Sequence, residues 1–237
     1  MLQKINSKQI YTGNYGWHTG HFHFSFGDYA DPGNTHFGDL IAFNDFFLSP
    51  ESGFDTHPHQ EIEIISYCVE GEMVHKDSMG NKNIITHGGM QYTCAGSGIT
   101  HSEYNYSLEK DLRFVQIWIR PALSNLSPNY ASTQIVRSDR LNKLLQIVSG
   151  HRIENVTRIN QDANIFVSEI EPGARLQLNQ HSDRQFYLSC LEGALSVNDT
   201  SLEHGDAIKI WDEGTVILDA VHNCHLLMVD VPRIAIR

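Results

Sequence analysis

Short apolar runs recur along most of the chain, and their composition is typical of β-strands. Between residues 60 and 120 these runs are IEIISYCV, NIITH, GMQYTCA and RFVQIWI, and each is bounded by Gly, Asp or Asn. Residues 41–48 (IAFNDFFL) form an earlier run of the same kind. Runs of four to eight β-branched and aromatic residues between turn residues predict strands. The pattern therefore predicts an all-β fold.

One segment has the pattern of a helix. Residues 139–148 (DRLNKLLQIV) place their apolar side chains on one face, with Ser138 or Asp139 as the N-cap and Gly150 just beyond the end. The preceding residues 121–135 (PALSNLSPNYASTQI) have the composition of a linker. A short helix is therefore expected in or near a linker.

A weak internal repeat divides the chain in two. Residues 70–77 (EGEMVHKD) resemble residues 192–199 (EGALSVND), and HGG at 87–89 corresponds to HGD at 204–206. A repeated set of strands and glycine turns predicts two similar barrels in tandem. We place them at residues 1–130 and 131–237.

Composition limits the classes of ligand. The chain of 237 residues carries 28 acidic and 17 basic residues, a net charge of −11. A surface that binds nucleic acid needs a basic excess, so direct nucleic-acid binding is not expected. The balance favours a small ligand.

The N-terminal residues lack the apolar core of a secretory signal, and no apolar stretch approaches the ~18 residues of a membrane helix. The four cysteines are scattered without CxxC spacing, which is typical of reduced, mostly buried thiols. We expect a cytoplasmic protein without a membrane partner.

Two pairs of metal-binding side chains stand at i, i+2 spacing. The first pair is His57 and His59, and the second is His101 and Glu103. Residues two apart on a strand share a face, so the four side chains can converge inside one barrel. Three imidazoles and one carboxylate suit a divalent first-row transition metal such as iron.

The second barrel lacks the corresponding set. The repeat aligns the first pair with Asn179 and His181, and it aligns His101 with Leu218 in an apolar run. The second barrel is therefore predicted to be structural. His75 is assigned to a turn, with hydrogen bonds to local backbone.

The series HPH…EGE…DSMGN…AGSGITHSE, together with upstream GWHTGHFHFSFGDYADP and downstream FVQIWIRP, resembles the pirins and pirin-like quercetin 2,3-dioxygenases of the cupin superfamily. The later stretch EGALSVNDTSLEHGDAIKIWDEG is similar to the second domain of short bacterial members. The resemblance runs from about residue 15 to the end. It implies a bicupin of two double-stranded β-helix (jelly-roll) barrels.

The resemblance also implies a ligand set for Fe(II) in the first barrel, with Mn, Co, Ni, Cu or Zn as the other candidates. The ligands would be His57, His59, His101 and Glu103. Many cupins use the carboxylate at the position of Glu63, whereas pirins use the one in the HSE element. Gln60 departs from the family, which commonly has arginine there.

The implied activity is a dioxygenase that opens the heterocycle of a flavonol such as quercetin and releases carbon monoxide. Glu103 would take the proton of the 3-hydroxyl, and the metal would stabilise the resulting charge. Five aromatic residues are candidates for an apolar mouth, although each suits the core as well: Phe43, Phe46, Phe47, Tyr92 and Trp118.

Two other functions fit the resemblance. Some pirins are metal-binding regulatory proteins that interact with transcription factors, which here would require a protein partner. A cupin enzyme that acts on an unrelated small molecule is the third reading.

Overall fold

The computed structural model describes residues 1–233, and these residues form almost only β-strands. A 3₁₀ turn at Ser7–Gln9 and a single helical turn, α1, at Arg137–Arg140 are the helical segments of this part of the chain. The first twelve strands are β1 Leu2–Ile5, β2 Tyr11–Asn14, β3 His18–Phe22, β4 Leu40–Leu48, β5 Gly53–His59, β6 Glu63–Glu70, β7 Glu72–Asp77, β8 Lys82–Thr86, β9 Met90–Cys94, β10 Ile99–Asn105, β11 Leu112–Ile119 and β12 Asn129–Thr133. The remaining ten are β13 Leu145–Ser149, β14 Thr157–Arg158, β15 Asn164–Ile170, β16 Arg175–Asn179, β17 Arg184–Glu192, β18 Ala194–Val197, β19 Thr200–Glu203, β20 Ala207–Trp211, β21 Thr215–Ala220 and β22 Cys224–Pro232.

The chain forms two compact units. The N-terminal unit comprises Tyr11–Val136, and the C-terminal unit comprises Met1–Ile10 with the residues from Arg137 onward. These bounds differ from the predicted division at residue 130 in two ways. Strand β12 extends the first unit because it pairs with β9, and strand β1 joins the second unit because it pairs with β20. Part of the predicted linker is thus an edge strand.

The N-terminal unit has a seven-stranded sheet in the order β12-β9-β6-β11-β4-β3-β2 and a four-stranded sheet in the order β5-β10-β7-β8. Alternate residues of both sheets point inward, as the two-residue period of strands requires. The two sheets contribute jointly to one apolar cluster, which comprises Phe22, Phe46, Leu48, Cys68, Met73, Ile85, Leu112 and Phe114.

The C-terminal unit repeats this plan, with a seven-stranded sheet β1-β20-β17-β22-β15-β13-β14 and a four-stranded sheet β16-β21-β18-β19. The repeat predicted from the sequence marks turns at equivalent positions of the two units. Gly71 and Gly193 both have positive φ angles, +85° and +77°, and a Cβ at either would strike the backbone of the neighbouring chain segment. Only glycine satisfies both conditions.

The predicted helix over residues 139–148 is wrong in extent. The helical turn ends at Arg140, and residues 145–149 form strand β13, which pairs with β15. An apolar run of this length suits either structure, and here the backbone hydrogen bonds to β15 favour the strand.

All four cysteines are buried thiols, as predicted. Among the residues described, no helix has the length and apolar character needed to span a membrane.

Candidate metal centre

The two predicted ligand pairs lie on neighbouring antiparallel strands. His57 and His59 stand on β5, His101 and Glu103 stand on β10, and His57 is directly opposite His101 in the register. The register shifts between His101 and Glu103, so Glu103 is opposite Phe54. These two strands belong to the four-stranded sheet of the N-terminal unit.

The three imidazoles converge. The centroids of the His57 and His59 rings are 4.7 Å apart, and those of His57 and His101 are 4.6 Å apart. The Nε2 atoms of His57 and His101 are separated by 3.0 Å. Two nitrogens that bind one ion at about 2.1 Å and at a right angle also lie about 3.0 Å apart. The three histidines therefore fit a divalent transition metal.

Glu103 lies beside the cluster of three histidines, and it is grouped with His101 rather than with His57 and His59. One ligand atom of each of His57, His59 and His101 lies within 4.8 Å of the others, and the same holds for His75, His101 and Glu103. The four predicted side chains and His75 thus form two overlapping groups of three that share His101.

His75 is a further residue of the candidate site, and the sequence pattern did not predict its place there. It stands on β7 opposite Glu103, is fully buried, and its Nε2 lies 3.2 Å from Asp77 Oδ2. The assignment to a turn was wrong. The signal was present, because Met73 and His75 share a strand face and Met73 is an evident core residue.

Burial and charge set the protonation states that a metal would need. Burial, then the nearby His101 and His57, lower the pKa of His59 to about 4. Burial also lowers the pKa of His101. Burial alone would raise the pKa of Glu103, but the neighbouring histidines and the Ser66 hydroxyl outweigh it and lower that pKa. Neutral imidazoles and an ionised carboxylate are the forms that bind metal.

The alternative carboxylate, Glu63, has a different environment. It is fully buried on β6 and accepts a 2.6 Å hydrogen bond from the Tyr92 hydroxyl. Glu63 belongs to neither of the two metal-capable groups found among the described residues. The geometry favours Glu103, and the ligand assignment itself stays a prediction.

One of the five predicted mouth aromatics lies at the site. The Trp118 ring is half-buried, and its centroid lies 5.2 Å from that of His59. Phe26 packs edge-on against Trp118 at 4.9 Å, and Phe54 lies 6.5 Å from His57. The other candidates lie away from the mouth: Phe43, Phe46 and Tyr92 are buried in the interior, and Phe47 packs under the Arg113 guanidinium.

An open surface cavity of about 480 Å³ adjoins His59 at the ends of β5 and β10. His59 lines it, together with Pro58, Gln60, Ser78 and residues 98–100. Small-molecule sites typically span roughly 300–1,000 Å³, so this cavity can hold a small organic ligand. Gln60, the departure from the family pattern, therefore faces the cavity with a neutral side chain.

Comparisons with known proteins identify the family to which the chain belongs. The family model for pirin matches residues 5–119, and the model for the quercetinase C-terminal cupin domain matches residues 146–231. A pirin-like protein of Caulobacter vibrioides is 34% identical over 218 residues, covering 92% of this chain and 94% of that protein. The chain belongs to the pirin family. Another pirin relative, the quercetin 2,3-dioxygenase of Escherichia coli K12, is 31% identical over 231 residues, 98% of each chain.

Solved pirin structures share the complete fold. The crystal structure of the bacterial pirin YhhW of Escherichia coli, in complex with nickel(II), covers 99% of this chain and 100% of that chain. The TM-score is 0.93 at 28% sequence identity. The predicted two-domain cupin architecture is confirmed, and pirins include a member that binds a divalent transition metal.

Proposed function

We propose that this pirin is a metal-dependent dioxygenase that opens the heterocycle of a flavonol such as quercetin and releases carbon monoxide. Its proposed cofactor is Fe(II), held by His57, His59, His101 and Glu103. The relatives named as quercetin 2,3-dioxygenases support the reaction class.

The observation that carries this proposal is that the imidazole cluster has one buried side and one side that solvent can reach. His101 and Glu103 are each 1% exposed, whereas His57 and His59 are half-buried and His59 lines the cavity. A closed structural site would be covered on all sides. A site with one accessible face leaves room for a substrate, which is the arrangement of catalytic metal centres.

The residues around the cluster have distinct roles in this proposal. The chemistry that a divalent metal supplies at such a site is stabilisation of negative charge on a substrate oxygen. The flat ring system lies against the accessible side of His59, and the Trp118 indole next to that histidine provides an aromatic face. Glu103 accepts the proton of the flavonol hydroxyl.

The activity can be tested directly. Protein loaded anaerobically with Fe(II) is mixed with quercetin and oxygen, and the flavonol absorbance and the headspace carbon monoxide are followed. We expect loss of absorbance with release of carbon monoxide, and neither with His101→Ala. Metal-loaded wild-type protein that leaves quercetin intact with Fe, Mn, Co, Ni and Cu would contradict the proposal.

The cytoplasmic location, a regulatory protein partner and an unrelated small-molecule substrate stay predictions. A partner that co-purifies with wild-type protein and is lost from His101→Ala would favour the regulatory role.

A further inference from the structure

The Glu103 carboxylate accepts three hydrogen bonds from the seven-stranded sheet. Ser66 Oγ donates to Oε1 at 3.0 Å, Gln91 Nε2 donates to Oε1 at 2.6 Å, and Gln116 Nε2 donates to Oε2 at 2.7 Å. The donors stand on three different strands, β6, β9 and β11, and all are buried. The carboxylate is therefore held from several directions at once.

The oxygen of each glutamine amide accepts a hydrogen bond from an aromatic side chain. The Trp118 indole Nε1 donates to Gln116 Oε1 at 2.9 Å, and the Tyr130 hydroxyl donates to Gln91 Oε1 at 3.2 Å. An indole N–H can only donate, so the oxygen of Gln116 must face Trp118 and its NH₂ group must face Glu103. A tyrosine hydroxyl can donate or accept, so for Gln91 the orientation is set by the carboxylate, which can only accept from its NH₂ group, and the Tyr130 hydroxyl donates to the remaining oxygen.

The acceptor capacity of Glu103 is thereby almost filled. A carboxylate has about four lone-pair positions, two on each oxygen. Oε1 accepts from Ser66 and Gln91, which uses both of its positions, and Oε2 accepts from Gln116, which uses one. One position, on Oε2, is left.

We infer that Gln91 and Gln116 are positioning residues that clamp Glu103, so that it binds the metal through one oxygen only. This inference rests on the proposed metal centre. The same lone pair cannot hold a metal ion and a proton together, so Glu103 serves as ligand and proton acceptor only in turn.

The test measures metal binding rather than turnover. Apo protein is titrated with Ni(II) by calorimetry, and the visible spectrum of the Co(II) form reports the coordination geometry. In Gln116→Leu the Oε2 atom loses the donor that fixes its direction, and the carboxylate is held through Oε1 by Ser66 and Gln91. We expect Ni(II) affinity to fall about 10- to 100-fold, the usual effect of losing a partner of a metal ligand, with an altered Co(II) spectrum.

Trp118→Phe is the second variant, because it keeps a smaller aromatic ring beside His59 and removes the N–H that orients Gln116. A smaller loss of affinity in the same direction is expected, and Tyr130→Phe should act similarly through Gln91. Gln180→Leu is the matched control. Gln180 is a buried glutamine of the C-terminal unit whose amide also uses both ends, donating to Ile210 O and accepting from Glu213 N.

The outcomes separate the two proposals. The clamp is overturned if folded Gln116→Leu binds Ni(II) as tightly as the wild type does, and the metal centre then stands. If Gln116→Leu does not fold, the same result for Trp118→Phe overturns the clamp. Wild-type protein that binds neither Ni(II) nor Co(II) refutes the metal centre and the clamp together. Weakened binding in Gln180→Leu equal to that in Gln116→Leu would also overturn the clamp, because the effect would then reflect general destabilisation.

Discussion

His57 and His101 face each other across neighbouring strands, with their Nε2 atoms 3.0 Å apart. Because this pair forms one edge of the imidazole cluster, removing either ring should remove the metal. We expect His57→Ala or His101→Ala to lower metal affinity by at least about 100-fold, since even partners of the ligands contribute 10- to 100-fold. Elemental analysis of protein purified without chelators or a histidine tag measures the metal content.

His181→Ala is the matched control, since His181 occupies the corresponding place in the repeat and is exposed. Its metal content should equal that of the wild type. Full metal occupancy in folded His101→Ala would refute the ligand assignment, and a halved content in His181→Ala would show a second site.

The two buried glutamates can be distinguished by isosteric substitution. Glu103→Gln places an amide NH₂ against the donor of either Gln91 or Gln116, so metal should be lost and the free energy of unfolding should fall by about 1–3 kcal/mol. Glu63→Gln keeps an oxygen for the Tyr92 hydroxyl and should retain the metal. Metal content and thermal unfolding of both variants measure these effects. The reverse pattern of metal loss would make Glu63 the ligand.

The sequence could predict those parts of the candidate site that follow from the alternation of side chains along a single strand. The i, i+2 spacing places His57 and His59 on one face, and the structure brings both to His101. Parity within single strands does not reveal partners on other strands. Gln91 and Gln116 give no signal of their own, because a glutamine in a strand becomes part of the site only through the pairing of β9 and β11 with β6.

Gly193 should tolerate no side chain. Its φ of +77° disfavours any L-residue by about 1–2 kcal/mol, and an added Cβ would also overlap the carbonyl oxygen of Asn223. Gly193→Ala is therefore expected to destabilise by roughly 2–5 kcal/mol once the clash is added. Chemical unfolding followed by fluorescence gives the value.

Gly173→Ala isolates the backbone contribution, because Gly173 has a φ of +81° with nothing within 4 Å of the added Cβ. It should lose only about 1–2 kcal/mol. Equal losses for the two variants would show that the Asn223 contact is relieved by a shift of that loop.

Asp206 attaches the N-terminal segment to the C-terminal unit. Its carboxylate accepts from Ser7 N at 2.8 Å and Glu203 N at 3.0 Å and pairs with Lys4 Nζ at 2.8 Å. Burial alone would raise its pKa, but these partners outweigh burial and lower that pKa. We expect Asp206→Asn to lower the free energy of unfolding by about 1–3 kcal/mol at pH 7.

The sign of the pH dependence follows from that depressed pKa. The stabilisation is complete above the ordinary aspartate pKa of about 3.9 and is lost as the pH falls through the lower value of the folded state. The difference between wild type and Asp206→Asn should therefore shrink below about pH 4. Unfolding titrations at a series of pH values measure it, and a constant difference would contradict the assigned cause.

The fold could be predicted where composition and turn residues agree, as in residues 41–48, which lie in β4. It could not be predicted where the chain pairs with distant segments. Leu144, Leu145 and Val148 suit a helix face, yet residues 145–149 pair with β15. Four residues at Leu2–Ile5 carry no pattern that points to a partner two hundred positions away.

That pairing has a consequence for how the protein is made. Leu2 lies opposite Ile210 and Ile5 opposite Ala207, so a strand that precedes the first barrel in the chain pairs with a strand that is translated after that barrel. The first barrel can assemble during synthesis, while residues 2–5 remain without their sheet until β20 has been translated. Proteolytic removal of residues 2–5 would thus destabilise the C-terminal unit, with which they pair, and leave the N-terminal unit intact.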